Sequence, residues 1–153
     1  MKLTLEIAEG SKYDNLENEI EKEYQKNYKK AQKCFLDGYY EKSIQHYHNC
    51  LIIDPDHRIV NIIEYKLEKI INSYFKELYS CAYKSFNCSN HEVSRYYFTK
   101  CYCLLVENGK YMKQRNINQL KKIEDMLNSI QRLMGFQNHM IDINHYNLYK
   151  IKL

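Results

Sequence analysis

Apolar residues recur every three or four positions between Gly38 and Pro55, which is the spacing of one face of an α-helix. The apolar residues of that pattern are Tyr40, Ile44, Tyr47, Leu51 and, at its edge, Ile52, with the small residues Ser43 and Cys50 among them. Gly38 suits the turn before the helix, because glycine adopts backbone conformations that other residues avoid. Pro55 is the chain's only proline, and it ends the helix at about Asp54 because it has no backbone N–H group to donate.

A similar apolar stripe lies upstream and predicts a helix that begins at Asp14 or Asn15 and ends at about Leu36. The stripe consists of Ile20, Tyr24, Tyr28, Ala31 and Phe35. The opposite side of the same helix carries a stripe of lysines, Lys22, Lys26, Lys29 and Lys33. The predicted helix is therefore amphipathic, with one face suited to packing and one to solvent.

The first residues of the chain have a different pattern. Leu3, Leu5 and Ile7 alternate with polar residues, which is typical of a β-strand. A lone strand is not stable in water. Residues 1–13 are therefore expected either to pair with another segment or to form a mobile lead-in.

The helical period resumes after Pro55 and meets no helix-breaking residue before Phe86. We therefore predict one unusually long helix over residues 57–86. The turn-forming residues 87–90 end it.

Two further helices are predicted downstream, over residues 91–106 and residues 112–134. Asn108-Gly109 provides the C-terminal cap of the first, and Gly135 ends the second. The predicted fold class is all-α, with one domain over residues 14–135 and a tail over residues 136–153.

The sequence repeats itself weakly at an offset of 51 residues. The pairs that match in size and polarity are Ala31 and Ala82, Phe35 and Phe86, Ser43 and Ser94, Tyr47 and Phe98, Cys50 and Cys101, and Ile53 and Leu104. All of them lie on the apolar stripes. We therefore predict two similar helical hairpins, residues 24–54 and residues 75–107.

The pattern between Gly38 and Pro55 resembles the second helix of a tetratricopeptide repeat (TPR). That family has a glycine, an aromatic, a small residue, an aromatic, a small residue and a closing Asp-Pro at fixed spacings. Those places hold Gly38, Tyr40, Ser43, Tyr47, Cys50 and Asp54-Pro55. The second hairpin lacks the glycine and the Asp-Pro.

The offset of the repeat exceeds the TPR period of about 34 residues by about 17, and the excess lies within residues 56–74. We interpret it as an N-terminal extension of the third helix. The chain is similar in this respect to the TPR domains of immunophilin-type co-chaperones, which have an insertion at the same place.

Stacked repeats need a polar terminal cap, and the helix over residues 112–134 is expected to provide it. Its apolar face would pack on the second hairpin. Its basic residues would face outward: Lys113, Arg115, Lys121, Lys122 and Arg132.

The TPR resemblance implies a protein–protein interaction adaptor or co-chaperone-like scaffold that binds a peptide or helix in a groove. The residues at the groove-facing places are Tyr28, Lys29, Gln32, Phe35, Lys76, Tyr79, Ser80 and Tyr83. Tyrosine rings supply stiff contact area, and their hydroxyls form hydrogen bonds. The same tyrosines also suit packing between helices, and the sequence leaves both interpretations open.

Chaperone-binding TPR domains hold the C-terminal carboxylate of their partner in a clamp of lysine, arginine and asparagine side chains. This chain has Tyr28, Gln32 and Ser80 at the matching places and no recognisable third repeat. Most of the clamp is therefore missing, and binding of a chaperone's C-terminal tail is not expected.

Composition adds limits on location and partners. The charged fraction of 27% and the mean hydropathy of -0.69 are typical of a water-soluble protein, and a net charge of +4 gives little support for a nucleic-acid or membrane partner. No apolar run reaches the length of a membrane span, and residues 1–6 lack that of a signal peptide. We therefore expect a cytoplasmic protein whose six cysteines are reduced.

The sequence contains no glycine-rich phosphate loop, nucleophile elbow or HExxH motif, so no enzymatic function and no catalytic residue is predicted. Cys101 and Cys103, like His46 and His48, are two residues apart, which places their side chains on different faces of a helix. His46 and Cys50 could share a face, but Cys50 belongs to the packing stripe. Neither a metal nor a cofactor is therefore expected.

Two other hypotheses concern the partner. The lysine stripe on the first helix could follow the phosphates of an RNA, although nearby glutamates reduce its potential. The extension could self-associate through Ile59, Ile62, Ile63 and Leu67, provided that these residues have no partner within the chain.

Overall fold

The computed structural model describes the backbone of residues 2–135 and the side chains of residues 13–135. Within that range every regular element is a helix, so the all-α prediction is confirmed. The helices are α1 (Lys2–Leu36), α2 (Tyr40–Ile53), α3 (Val60–Asn87), α4 (His91–Glu107), a short 3-10 helix (Gly109–Tyr111), α5 (Gln114–Ile117) and α6 (Leu120–Leu133).

Within the described residues the chain forms two compact units, divided between Leu67 and Glu68. Helix α3 begins in the first unit and ends in the second. The predicted tail, residues 136–153, lies outside the described residues.

Helix α1 begins at Lys2, far upstream of the predicted start at Asp14 or Asn15. The prediction of a strand over Leu3–Ile7 is therefore wrong. Three alternating apolar residues are a weak signal, because Leu3 and Ile7 are also four positions apart and fit one face of a helix. Gly10 lies inside α1, where glycine costs about 1 kcal/mol relative to alanine but does not end a helix by itself.

Helices α1 and α2 form the first hairpin, and small side chains allow their backbones to approach closely. Ala31 and Ser43 are fully buried where the helices meet. The Ser43 hydroxyl donates to the Ala31 carbonyl oxygen at 2.7 Å, and the Cys50 thiol lies 3.5 Å from the Tyr24 carbonyl oxygen. The rings of Tyr24 and Tyr47 fill the space beside these contacts, with exposed fractions of 0% and 2%.

The turn between α1 and α2 is a Schellman motif, in which two N–H groups after the helix bond to carbonyls of its last turn. The Tyr39 N–H donates to the Cys34 carbonyl at 2.8 Å, and the Gly38 N–H donates to the Phe35 carbonyl at 3.1 Å. Gly38 has φ +81°, in the left-handed region that favours glycine. A side-chain methyl group at Gly38 would meet no atom within 4 Å, so the backbone alone sets the preference.

A structured turn over residues 54–59 follows α2. The Asp56 N–H donates to the Asp54 carboxylate at 3.2 Å, and the His57 N–H donates to the Asp54 carbonyl at 3.3 Å. Helix α3 begins at Val60, three residues after the predicted start at His57, and has 28 residues. The predicted helical extension is therefore confirmed from Val60 onward.

The second unit contains the second hairpin, formed by the C-terminal part of α3 and α4. Its central contact repeats that of the first hairpin 51 residues later: the Ser94 hydroxyl donates to the Ala82 carbonyl oxygen at 2.9 Å. Ser94, Ala82, Phe98 and Cys101 are all fully buried, and Phe75 is 2% exposed. The prediction of two similar helical hairpins is confirmed in these contacts.

The turn of the second hairpin is also a Schellman motif. The Asn90 N–H donates to the Ser85 carbonyl at 2.9 Å, and the Ser89 N–H donates to the Phe86 carbonyl at 3.0 Å. Ser89 takes the place of Gly38 and has φ +58°, which is unusual for a residue with a side chain. The second hairpin therefore keeps the turn of the first, although its sequence lacks the glycine.

The segment after α4 differs from the single capping helix predicted over residues 112–134. It consists of the 3-10 helix, the one-turn helix α5 and then α6. Helix α6 packs on α4, and its buried residues Ile123, Leu127 and Ile130 lie on the predicted apolar face. The five predicted outward-facing basic residues are exposed: Lys113, Arg115, Lys121, Lys122 and Arg132.

The side chain of Asn72 holds this segment to α3. Its amide nitrogen donates to the Tyr111 carbonyl oxygen at 2.9 Å and to a carbonyl in its own helix. Its amide oxygen accepts from the Lys113 N–H at 3.0 Å and from the Asn116 side chain at 2.7 Å. One side chain that is only 8% exposed thus fixes the path of residues 111–116.

We predict that Ser89→Gly stabilises the protein and that Gly38→Ala destabilises it. A left-handed residue with a side chain is strained, and glycine's greater unfolded-state entropy offsets part of the gain, so the expected changes are roughly 0.5–1 kcal/mol in each direction. Urea unfolding monitored by circular dichroism measures both. Equal stability of wild type and Ser89→Gly would contradict the assigned turn conformation.

We predict that Asn72→Ala lowers the free energy of unfolding by about 2–3 kcal/mol, because it removes the hydrogen bonds that the Asn72 side chain forms with Tyr111, Lys113 and Asn116. The matched control is Asn61→Ala at an exposed position of the same helix. That variant should be as stable as the wild type or slightly more stable, because alanine favours helix. Equal losses in the two variants would show that Asn72 does not hold the segment.

Candidate binding surfaces

The predicted groove residues of the first unit lie along α1. Tyr28 is half-buried, and its ring meets the Tyr47 ring of α2 edge-on, with centroids 5.9 Å apart. The Lys66 ammonium lies 5.0 Å from the centroid of the Tyr28 ring, within the range of a cation–π interaction. Tyr28 therefore packs against α2 and keeps part of its ring accessible.

Of the other three predicted residues of α1, two are more accessible than Tyr28 and one is about as accessible. Lys29 is exposed, Gln32 is half-buried, and Phe35 is 42% exposed. The Phe35 ring contacts the Tyr40 ring at the start of α2, with centroids 6.0 Å apart. Because Tyr28, Gln32 and Phe35 follow a spacing of four and three, they share one side of α1.

In the second unit, two of the predicted tyrosines belong to an aromatic cluster. The rings of Tyr79 and Tyr83 have centroids 4.8 Å apart, and both meet the buried Phe98 ring edge-on, at 6.2 and 5.1 Å. Phe75 stacks on the other side of Tyr79 at 5.6 Å. Tyr79 and Tyr83 are half-buried, so they contribute to the core of this unit and also to its surface.

Polar groups complete the surface around this cluster. The Tyr79 hydroxyl donates to the side-chain oxygen of Gln119 at 3.1 Å, and the Lys122 ammonium lies 5.4 Å from the centroid of the Tyr83 ring. Lys76 and Ser80 are exposed on α3. Burial raises the pKa of Tyr79, and the hydrogen bond with Tyr83 raises it further, so its phenol stays protonated at neutral pH.

The first helix of each hairpin carries a tyrosine at an equivalent position. Tyr28 and Tyr79 are 51 residues apart, and each meets the ring of the second helix edge-on: Tyr47 at an angle of 71° and Phe98 at an angle of 89°. Each of these two tyrosines therefore packs within its own hairpin and keeps part of its ring exposed.

Sequence reasoning missed a cluster around His57 in the first unit. The His57 ring stacks on the Tyr24 ring with centroids 3.8 Å apart and an angle of 11°. Its Nδ1 accepts from the Ile59 N–H at 3.3 Å, so its Nε2 carries the proton that it donates to the Glu21 carboxylate at 2.8 Å. These contacts join the turn after α2 to α1, and no local sequence pattern links residues 36 positions apart.

A second polar cluster surrounds Asn27, which is 7% exposed. Its side-chain oxygen lies 3.2 Å from His46 Nδ1 and accepts from the Asn49 side chain at 3.3 Å. Burial lowers the pKa of His46, and the nearby Lys30 and Lys42 lower it further. The folded state therefore disfavours the charged form of the His46 ring.

Three of the six cysteines, Cys50, Cys101 and Cys103, have buried thiols. Burial raises the pKa of Cys50 and of Cys103 to about 11, and it raises that of Cys101 as well. Few of these thiols are ionised at neutral pH, and the thiolate is the reactive form. Among residues 13–135, no group of three or more histidine, cysteine and acidic side chains could hold a metal ion.

The stripe proposed for self-association is not free. Ile63 and Leu67 are both 0% exposed, so neither is available to a second copy of the chain. Ile62 remains 48% exposed and Ile59 half-buried. That hypothesis required the extension to have no partner within the chain. Two of its four residues, Ile63 and Leu67, are buried and do not meet this condition.

Over residues 2–135, none of the helices combines the length and apolar character that crossing a membrane requires. The chain matches no protein-family model, no curated protein and no solved structure. The TPR resemblance therefore depends on the residues and hairpins of this chain alone.

We predict that the Glu21→Gln variant loses less stability than the wild type when the pH is lowered. The hydrogen bond from Gln25 and then that from His57 lower the pKa of Glu21 from its ordinary value of 4.5. A lowered folded-state pKa gives stability that is fully present above pH 4.5 and is lost as the pH falls through the lower folded value.

The test is urea unfolding at several pH values between 5 and 3. The wild type should lose more stability over this range than Glu21→Gln. The matched control is Glu17→Gln, at an exposed position of the same helix, which should keep the wild-type loss. Identical pH profiles for wild type and Glu21→Gln would contradict the assigned contacts.

Proposed function

We propose that this protein is a non-enzymatic adaptor that binds a peptide or helix of a protein partner through the first helix of each hairpin. The observation that carries the proposal is the pair of equivalent tyrosines. Tyr28 and Tyr79 each lean edge-on against an aromatic ring of the second helix and keep part of their surface accessible.

Rings held in this way are suited to binding. The contacts with Tyr47 and Phe98 fix the orientation of Tyr28 and Tyr79, so a partner that packs on them loses little side-chain entropy from the protein. Aromatic side chains combine apolar area with a polar tip, and they are enriched at interfaces for that reason.

The charges beside the rings suggest what the partner carries. Lys66 lies over Tyr28 and Lys122 over Tyr83, and Lys76 is exposed on α3, three residues before Tyr79. An apolar side chain of the partner would pack on the ring, and a carboxylate would pair with the lysine. We therefore expect a segment that combines apolar and acidic residues.

The resemblance to TPR proteins supports the same function. The hairpins are closed by Schellman turns and packed through a serine–alanine contact, as the small residues of the pattern require. TPR domains act mainly as binding scaffolds.

All six cysteines are free, and the cytoplasm would keep them reduced.

The alternative function is RNA binding along α1. It is favoured by one observation, the exposure of all four residues of the lysine stripe: Lys22, Lys26, Lys29 and Lys33. Binding to phosphates weakens steeply with salt, because each neutralised phosphate releases a counterion. Contacts with aromatic rings respond much less to salt.

The experiment begins with a photo-crosslinking amino acid at Gln32 or Ser80, which captures the partner in a lysate for identification by mass spectrometry. The captured segment is then titrated calorimetrically against wild type, Phe35→Ser and Lys76→Glu. We expect each variant to bind about tenfold more weakly, which corresponds to about 1.4 kcal/mol.

Two matched controls alter exposed residues outside the proposed faces: Ile52→Ser on α2 and Arg132→Glu on α6. Both should bind within about twofold of wild type. If the controls weaken binding as much as the test variants, the proposed faces are wrong. If the captured molecule is RNA, and affinity falls by about a hundredfold between 50 and 200 mM salt, the alternative function is correct.

A further inference from the structure

A second surface lies on α1, upstream of the first hairpin. Helix α2 ends at Ile53; its Cys50 thiol lies against the Tyr24 carbonyl oxygen of α1, and His57 in the following turn contacts Glu21. On the part of α1 before that point, three large apolar side chains are exposed: Tyr13 at 68%, Leu16 at 54% and Ile20 at 38%. We call these three residues the seam.

The seam continues the face that α1 buries in its hairpin. At about 100° per residue, its three residues fall within an arc of about 60°; Ala31 lies at one edge of that arc and Tyr24 about 20° beyond it. Isolated exposed apolar residues are common, but three on one face, in line with a buried stripe, form a continuous contact surface.

The seam is bordered by negative charge. Five acidic residues and one lysine lie between positions 13 and 23, which gives a net charge of -4. The helical rotation places Glu17 and Glu21 beside one edge of the seam and Glu19 and Glu23 beside the other, with Lys22 on the far side of the helix. A partner that packs on the seam would meet carboxylates on both flanks.

This charge pattern indicates what kind of partner would bind the seam. A second copy of the chain would bring acidic flanks against acidic flanks in either orientation, which is unfavourable. A helix with an apolar stripe flanked by lysine or arginine would bury the seam and neutralise both flanks. We propose that the seam binds a basic amphipathic helix of another protein.

This surface is separate from the faces of the proposed function. It lies within residues 13–23 and includes none of the residues altered to test that function. The Phe35→Ser and Lys76→Glu variants should therefore bind a basic helix as the wild type does, so failure of one proposal leaves the other intact.

The test uses the full chain and a synthetic probe of about 21 residues, with leucine at heptad a and d positions and lysine or arginine at the flanking e and g positions. Its control is a peptide of the same composition in which the leucines are distributed around the helix. Fluorescence anisotropy should show binding of the amphipathic probe at least about tenfold tighter than binding of the control.

Two sets of variants distinguish apolar packing from simple charge attraction. Leu16→Ser combined with Ile20→Ser should weaken binding about tenfold, whereas Leu133→Ser, an equally exposed leucine of α6, should not. Glu17→Lys combined with Glu19→Lys should also weaken binding, and it should create affinity for an acidic version of the probe. Circular dichroism verifies that each variant retains the wild-type helix content.

Other occupants are detected by a benzoylphenylalanine crosslinker in place of Tyr13. Crosslinking to the added basic probe, at a yield that Leu16→Ser lowers, supports the proposal. A crosslinked dimer of the chain, or an internal crosslink to residues 136–153 that the probe does not displace, would overturn it. Equal affinity for the amphipathic probe and its scrambled control would overturn it as well.

Discussion

The close approach of two helices at a pair of small residues is the constraint on which each hairpin depends. Ala31 and Ser43 have side chains small enough to let their backbones come within reach of a hydroxyl–carbonyl hydrogen bond, and Ala82 and Ser94 do the same 51 residues later. A larger side chain at any of these positions would separate the helices and break that bond.

Once this spacing is set, the neighbouring rings have little freedom. Tyr28 can meet Tyr47 edge-on, and Tyr79 can meet Phe98, only because the helices that carry them are held at that distance. The orientation of the accessible ring surfaces is thus a consequence of helix packing. Binding surfaces built in this way are rigid without any loop to support them.

Periodicity and the 51-residue repeat were sufficient to predict both hairpins and the long helix, because a buried stripe leaves a regular trace in the sequence. The strand over residues 3–7 was wrong, since three alternating residues fit either element. Polar ties such as His57 with Glu21, and the amide of Asn72, could not be predicted. A single polar side chain has no periodic signature, and its partners lie far away in sequence.

The separation of contacting residues has a consequence for how the chain folds. The hydroxyl contacts at Ser43 and Ser94 close loops of 12 residues, whereas the contact of His57 with Glu21 spans 36 and that of Asn72 with Asn116 spans 44. Short loops lose less entropy on closing. We therefore expect each hairpin to form early and the long-range polar contacts to form afterwards. Variants at Ser43 should then slow refolding, whereas variants at His57 should mainly accelerate unfolding.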